Sequence, residues 1–202
     1  MINRRDCAYL IDDDEGFREG LTDYLRSRGI PVASFGSVNE YLSFERDDDA
    51  ACLILDIELP GISGIEYQQQ LSESLHPPVI FITAHGSIPL SVRAIKAGAI
   101  EFLTKPVDLA TLLSTIRTAF QTDCKNRLQK SGIDALRARL ATLTPREREV
   151  LPLVVRGLLN KQSAASLGIR EVTLQLHRRH IMKKLAAPSL AELVRIAERL
   201  NI

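Results

Sequence analysis

Five short apolar runs alternate with helical patterns along residues 1–120, and this alternation most strongly limits what the chain can fold into. Apolar runs of this length, separated by helices, predict parallel strands joined by right-handed crossovers. We therefore expect an α/β fold with a doubly wound, five-stranded parallel sheet. The predicted strands are Ala8–Asp12, Val32–Phe35, Ala51–Asp56, Val79–Thr83 and Glu101–Thr104, and the helical patterns lie at about 16–28, 37–44, 65–74, 89–97 and from 108 onward.

Polar and charged residues stand where four of the predicted strands end. Asp12 and Asp13 are at the end of the first strand, Asp56 ends the third, Thr83 ends the fourth, and Lys105 follows the fifth. The carboxyl ends of parallel strands share one edge of a sheet, so these side chains are expected to converge there. Several carboxylates at close quarters repel one another unless a cation is present, and a small set of oxygen ligands suits Mg²⁺. The sequence thus predicts a magnesium site.

An aspartate at such an edge can act as a nucleophile toward phosphorus and form an aspartyl phosphate. Asp56 is the candidate acceptor. Thr83 can donate a hydrogen bond to a phosphoryl oxygen, and Lys105 can pair with Asp56 before the reaction and with the phosphoryl group after it.

The net charge of +1 conceals a strong asymmetry along the chain. Residues 1–120 hold 18 acidic against 10 basic residues, for a net charge of −8. Residues 121–143 hold 5 basic against 2 acidic residues (+3), and residues 144–202 hold 11 against 5 (+6). This split favours an acidic module joined to a basic module that faces nucleic acid.

No apolar stretch approaches the length of a membrane span, and the N-terminus lacks the apolar segment of a signal peptide. We therefore expect a cytoplasmic protein without a membrane partner. The three cysteines are widely spaced and form no C-x-x-C pair, which favours reduced thiols over a disulfide framework or a zinc site.

The C-terminal module begins with a complete capping box. Thr144 is the predicted N-cap, Pro145 follows it at N1, and Glu147 stands at N3. Four helices are expected, running to about residue 156, then over 161–167, 171–185 and 189–200. Two helices joined at Gly168, the second rich in Arg, Gln and His, are typical of a helix-turn-helix whose second helix enters the major groove. A plain four-helix bundle with a solvated basic face is the alternative from periodicity alone.

The segment between the modules is polar with sparse leucines. It predicts an extension of the fifth helix, a break at Gly132 and a short helix from Asp134 to Leu140. The expected organisation is a phosphoacceptor domain over 1–120, a mostly helical linker over 121–142 and a DNA-binding domain over 143–202.

Residues 8–120 resemble the receiver domain of two-component response regulators, which has a CheY- or flavodoxin-like fold. The resemblance rests on the acidic pair Asp12-Asp13, Asp56 with Pro60 and Gly61 to Gly64, Thr83, and Lys105-Pro106. It implies a phosphoacceptor at Asp56, phosphoryl sensors at Thr83 and Lys105, a switch aromatic at Phe102, a cis peptide before Pro106, and a Mg²⁺ shell of Asp12, Asp13, Asp56 and the backbone carbonyl of Glu58. Asp14 is expected to be a bystander.

Residues 143–202 resemble the LuxR-type DNA-binding domain, and the pairing of the two modules is similar to FixJ and NarL regulators, with the FixJ branch closer. The resemblance rests on Leu-Thr-Pro-Arg-Glu-Arg-Glu-Val-Leu, Asn160-Lys161, Gly168-Ile169, Val172-Thr173-Leu174 and the stretch from His177 to Lys184. By matching position it implies base contacts from Gln175, Leu176 and Arg179, and phosphate contacts from Asn160, Lys161, Thr173, Arg178 and Lys183.

Three residues depart from the LuxR-type pattern. Gln175 replaces a common basic residue and can pair with adenine. Arg170 replaces the usual Ser cap and is expected to weaken the start of its helix while adding a possible phosphate contact. Ser163 replaces a larger apolar residue, which puts the packing beneath the turn in question.

The favoured function is a transcriptional response regulator rather than a turnover enzyme. A histidine kinase phosphorylates Asp56, the receiver dimerises through its fourth helix and fifth strand with Val92, Ile95 and Lys96 as candidate contacts, and the basic domain binds promoter DNA. RNA polymerase is an expected further partner and activation the expected output. Two alternatives remain open: a phosphohydrolase or phosphotransferase, since Asp56-x-Glu58 faintly resembles the Asp-x-Asp of haloacid-dehalogenase-type phosphatases, and a constitutive DNA-binding protein with a silent receiver.

Overall fold

The computed structural model describes residues 6–46, 49–71 and 76–202. The chain divides into two compact units, Met1–Leu128 and Gln129–Ile202. Within the described ranges no helix is long and apolar enough to cross a membrane.

The first unit contains a five-stranded parallel sheet with the order β2-β1-β3-β4-β5. This order confirms the predicted doubly wound fold. The strands are β1 (Cys7–Ile11), β2 (Val32–Phe35), β3 (Ala51–Asp56), β4 (Val79–Thr83) and β5 (Glu101–Thr104), and the helices that follow them are α1 (Glu15–Ser27), α2 (Val38–Ser43), α3 (Gly64–Leu71), α4 (Ile88–Lys96) and α5 (Leu109–Ala141).

Two hydrophobic cores cover the two faces of this sheet. Alternation along β3 places Leu53 and Leu55 in one core and Ile54 in the other, and every residue of β3 is buried. Strand β3 pairs with β1 on one side and β4 on the other. A central strand buried on both faces is a rigid support for the aspartate at its end.

The second unit contains the end of α5 together with α6 (Pro145–Val155), α7 (Asn160–Ser166), α8 (Glu171–Lys184) and α9 (Leu190–Leu200). The predicted capping box is present: Thr144 Oγ accepts from the Glu147 N–H, and a Glu147 carboxylate oxygen accepts from the Thr144 N–H at 2.8 Å. Burial raises the pKa of Glu147, but hydrogen bonds from Lys184 and Thr144 outweigh it and hold that pKa below its ordinary value.

One prediction for the linker is wrong. Helix α5 continues through Gly132 without the expected break and ends at Ala141. A glycine inside a helix costs only about 1 kcal/mol relative to alanine, and Leu136, one turn later, is buried in the hydrophobic core of the second unit. Packing of the helix therefore outweighs the glycine. The other described element bounds differ from prediction by at most one residue, and the expected end of the third helix at Ser74 lies outside the described residues.

The close contact at Gly64 predicts a stability effect. A Cβ at this position would lie 2.3 Å from the carbonyl oxygen of Asp56, so we expect Gly64→Ala to destabilise the first unit by about 1–3 kcal/mol. Gly20 lies inside α1 with nothing within 4 Å of a Cβ, and Gly20→Ala is expected to stabilise by about 0.4–1 kcal/mol. Urea unfolding followed by circular dichroism measures both, and equal stabilities of the two variants would contradict the expectation.

Candidate functional site

Three aspartates meet at the carboxyl edge of the sheet. Asp12 directly follows β1, Asp13 is next along the chain, and Asp56 is the last residue of β3. Each offers one carboxylate oxygen, and these oxygens lie within 4.8 Å of one another. Asp12 and Asp56 are buried, whereas Asp13 is exposed. The cluster therefore has two sheltered carboxylates and one that faces solvent.

Lys105 joins the two buried carboxylates. Its Nζ donates to Asp12 Oδ2 at 2.7 Å and to Asp56 Oδ2 at 2.8 Å. The residue follows β5, its backbone N–H donates to the Thr83 carbonyl at 2.8 Å, and the peptide bond to Pro106 is cis as expected. One ammonium thus partly neutralises two charges that would otherwise repel each other.

The remaining oxygens of these two carboxylates are held by the backbone. Asp56 Oδ1 accepts from the Glu58 N–H at 2.9 Å, and Asp12 Oδ1 accepts from the Asp14 N–H at 3.0 Å. Each buried carboxylate therefore has one oxygen on an amide and the other on Lys105. Such contacts fix the orientation of both groups.

Burial and charge alter the protonation of the cluster. Burial raises the pKa of Asp12 above its ordinary value, and although Lys105 and the Asp14 N–H oppose this shift, the charge of Asp56 adds to it. Burial acts to lower the pKa of Lys105, but its hydrogen bonds to Asp12 and Asp56 and their charges raise it overall. The ammonium form of Lys105 is thus stabilised by the two carboxylates.

The other expected site residues have distinct positions. Thr83 is fully buried, and its Oγ1 accepts from the His85 N–H at 3.2 Å. Phe102 is half-buried on β5, and its ring lies beside Gly86. Asp14 is the N-cap of α1 and accepts from the Phe17 N–H at 3.1 Å.

Two contacts at this edge were not expected from the sequence. The Phe17 ring lies under Lys105, with Nζ 4.2 Å from the ring centroid, and this cation–π contact further holds the ammonium. Glu58 Oε2 and His85 Nδ1 lie 2.8 Å apart on the exposed rim. Phe17 stands in the first turn of α1, where its proximity to Lys105 depends on the packing of the helix against the sheet and leaves no signal in the sequence.

The candidate nucleic-acid interface lies on α7 and α8, which are joined at Gly168 with φ of +64°. Of the expected base contacts, Gln175, Leu176 and Arg179 are all exposed on α8. Among the expected phosphate contacts, Lys161 and Lys183 are exposed and Thr173 is half-buried. Arg178 and Asn160 are half-buried and hydrogen-bond to each other, which links the two helices.

The departures at Arg170 and Ser163 have visible consequences. Arg170 is the N-cap of α8 and makes no side-chain capping bond, as its side chain predicts. Ser163 is fully buried in α7, and its hydroxyl has no hydrogen-bond partner in the part of the chain that the structure describes. Replacing a larger apolar residue at this point therefore leaves a buried polar atom unpaired.

Known families match both units. Residues 8–117 match the response regulator receiver domain, and residues 141–197 match the bacterial regulatory proteins of the luxR family. Nodulation protein W of Bradyrhizobium diazoefficiens is 45% identical over 96% of this chain and 86% of its own length. Response regulator protein TodT of Pseudomonas putida is 41% identical over the whole chain and 89% of its own length.

Relatives of known structure agree with this match. The response regulator StyR is 45% identical, with a TM-score of 0.80 over 96% of this chain and 99% of its own. Full-length FixJ from B. japonicum is 34% identical, with a TM-score of 0.55 over 96% and 97%. The chain belongs to the FixJ-like response regulators, which join a receiver domain to a LuxR-type DNA-binding domain and regulate transcription.

Proposed function

We propose that a histidine kinase transfers a phosphoryl group to Asp56 and that this modification controls promoter binding by the C-terminal domain. The main support is the environment of Asp56, whose two oxygens are held by the Glu58 N–H and by Lys105. A carboxylate so oriented, beside a cation that can stabilise new negative charge, suits an acceptor of phosphoryl groups. In this proposal the receiver domain covers 1–120, the linker 121–142 and the DNA-binding domain 143–202.

The transfer is a displacement at phosphorus. An Asp56 carboxylate oxygen attacks the phosphorus of the kinase phosphohistidine, a P–O bond forms, and the P–N bond breaks as the imidazole nitrogen keeps the electron pair and takes a proton. Lys105 can stabilise the negative charge on the phosphoryl oxygens, because its ammonium already contacts Asp56. Thr83 then donates a hydrogen bond to a phosphoryl oxygen, which requires its hydroxyl to turn toward Asp56.

The donor set fits Mg²⁺. One carboxylate oxygen from each of Asp12, Asp13 and Asp56 lies within 4.8 Å of the other two. Oxygens of this kind are the ligands that Mg²⁺ prefers, and the backbone carbonyl of Glu58 is a further candidate ligand. A bound Mg²⁺ would neutralise charge on the phosphoryl oxygens. Asp13, the exposed member of the cluster, leaves room for water on the metal.

Phosphorylation of Asp56 is proposed to change the position of Phe102 and, with it, the face formed by α4 and β5. Movement of Thr83 toward the phosphoryl group would let Phe102 rotate inward and repack this face. Helix α4 exposes Ile88, Val92 and Ile95 at helical spacing along one side, with Lys96 beside them. This apolar side supports phosphorylation-dependent dimerisation.

A dimer would place two recognition helices on two half-sites, which raises affinity through effective concentration. Base contacts are assigned to Gln175, Leu176 and Arg179 on the exposed side of α8. Phosphate contacts are assigned to Asn160, Lys161, Thr173, Arg178 and Lys183, with the Arg178–Asn160 bond orienting that arginine.

RNA polymerase is a further proposed partner, which the DNA-bound dimer would contact to activate transcription.

A footprint tests the central proposal. With acetyl phosphate and Mg²⁺, the wild-type protein is expected to protect discrete genomic sites that it leaves open without them. Asp56→Asn keeps the size of the side chain but cannot form an aspartyl phosphate, so it should lose this response. Identical footprints for the variant and the treated wild type would instead indicate constitutive binding.

Neighbouring aspartates provide a matched test of the metal site. Asp13→Asn removes a ligand and is expected to weaken Mg²⁺ binding more than about tenfold, measured by isothermal titration calorimetry. Asp14→Asn makes the same chemical change one residue later at an N-cap where Asn serves equally well. Its Mg²⁺ affinity should stay within about twofold of the wild type, and unchanged affinity of Asp13→Asn would exclude Asp13 as a ligand.

The dimer face has its own pair of variants. Ile95 is 46% exposed on α4 and Leu42 is 61% exposed on α2. Ile95→Glu would bury a charge in the proposed interface, so the beryllofluoride-treated variant is expected to sediment as a monomer. Leu42→Glu should dimerise like the wild type in the same sedimentation velocity experiment. Dimerisation of both variants would place the interface elsewhere.

A further inference from the structure

Helix α8 has two clearly different sides. Leu174 and Ile181 are fully buried in the core of the second unit. The opposite side, at the spacing i, i+3, i+4 and i+7, consists of Val172, Gln175, Leu176 and Arg179, all of them exposed. This second side is the one available to a partner.

Two members of the exposed side are apolar. Val172 is 76% exposed and Leu176 is 51% exposed, and they are four residues apart, so they are neighbours on the helix surface. Single exposed apolar residues are common on proteins and need no explanation. A neighbouring pair beside a glutamine and an arginine, near the start of a recognition helix, is more specific because such positions contact base edges.

The surroundings of this pair favour DNA over a protein partner. Lys161, Arg179 and Lys183 are exposed on α7 and α8, and positive charge of this density suits phosphates. Two apolar side chains are far too few for a stable protein interface, which needs about 1,000 Å² or more of buried surface. The major groove offers a small apolar target that matches them, the 5-methyl group of thymine.

We propose that Val172 and Leu176 form a methyl-recognition pair that selects two thymines in each half-site. The inference rests on the proposed function and adds a base preference and a residue, Val172, that the sequence pattern did not assign to DNA contact. Residues four apart are separated by about 6 Å along a helix, and base pairs by about 3.4 Å. The two thymines therefore lie within about two base-pair steps, next to the adenine expected for Gln175.

Replacing thymine with uracil tests this directly, since uracil differs only by the missing methyl group. Duplexes bound by the full-length, acetyl-phosphate-treated protein are first selected from a random library. Each thymine of the selected half-site is then replaced with uracil and the Kd is measured. At two positions the wild-type affinity should fall about fourfold, the effect of one buried methyl group.

Truncation of each side chain identifies its partner base. Val172→Ala should lose the thymine-to-uracil difference at one position and Leu176→Ala at the other, with the remaining positions unaffected. Leu190→Ala, which truncates a residue 40% exposed on α9, should keep both differences. All three positions are exposed, and circular dichroism verifies that each variant folds.

The outcomes separate this inference from the proposed function. A selected sequence whose thymines can all be replaced with uracil at no loss of affinity would overturn the methyl-recognition pair and leave the regulator intact. Retained sensitivity in Val172→Ala and Leu176→Ala would assign the methyl contacts to other residues and overturn it as well. Failure to select any sequence with the treated protein would overturn the proposed function together with the inference.

Discussion

The cluster of aspartates at the carboxyl edge of the sheet depends on two ion pairs, which the Lys105 ammonium makes with Asp12 and Asp56. Two buried carboxylates this close would repel each other strongly without a cation. Lys105 follows β5, Asp12 follows β1 and Asp56 ends β3, so the ion pairs connect strands that are not all neighbours in the sheet. The strand order is therefore a condition of the chemistry, because it brings the three charges to one edge.

The two units support function in different ways. Asp56 stands on a strand buried along its whole length, and its carbonyl lies so close to Gly64 that no side chain fits there. On α8 the arrangement is reversed: the buried side packs in the core of the second unit, and the side chains proposed to contact DNA are exposed. The first unit thus holds the proposed phosphoacceptor, Asp56, on a rigid strand, whereas the second presents an exposed helix surface to the proposed DNA partner.

Sequence patterns predicted most of this structure because strand ends and capping boxes depend on local residues. The convergence of Asp12, Asp56 and Lys105 followed from the parallel sheet alone. Other features depend on packing between distant segments and had no local signal. Helix α5 continues through Gly132 because of contacts made by Leu136, the Phe17 ring reaches Lys105 across the edge, and the bond between Arg178 and Asn160 requires the turn geometry.

Asp123 holds the start of β3 in place through a hydrogen bond. It is fully buried on α5, and its Oδ2 accepts from the N–H of Ala51, the first residue of the strand, at 2.9 Å and from Arg127 at 2.6 Å. The strand is thus held by a carboxylate at each terminus, by Asp123 at the start and through Asp56 at the end. Sliding β3 by one residue would also move its buried side chains to the opposite faces of the sheet, where they would not fit the two cores. Charge added at Asp56 in the proposed phosphorylation is therefore expected to be accommodated by the side chains and loops around it.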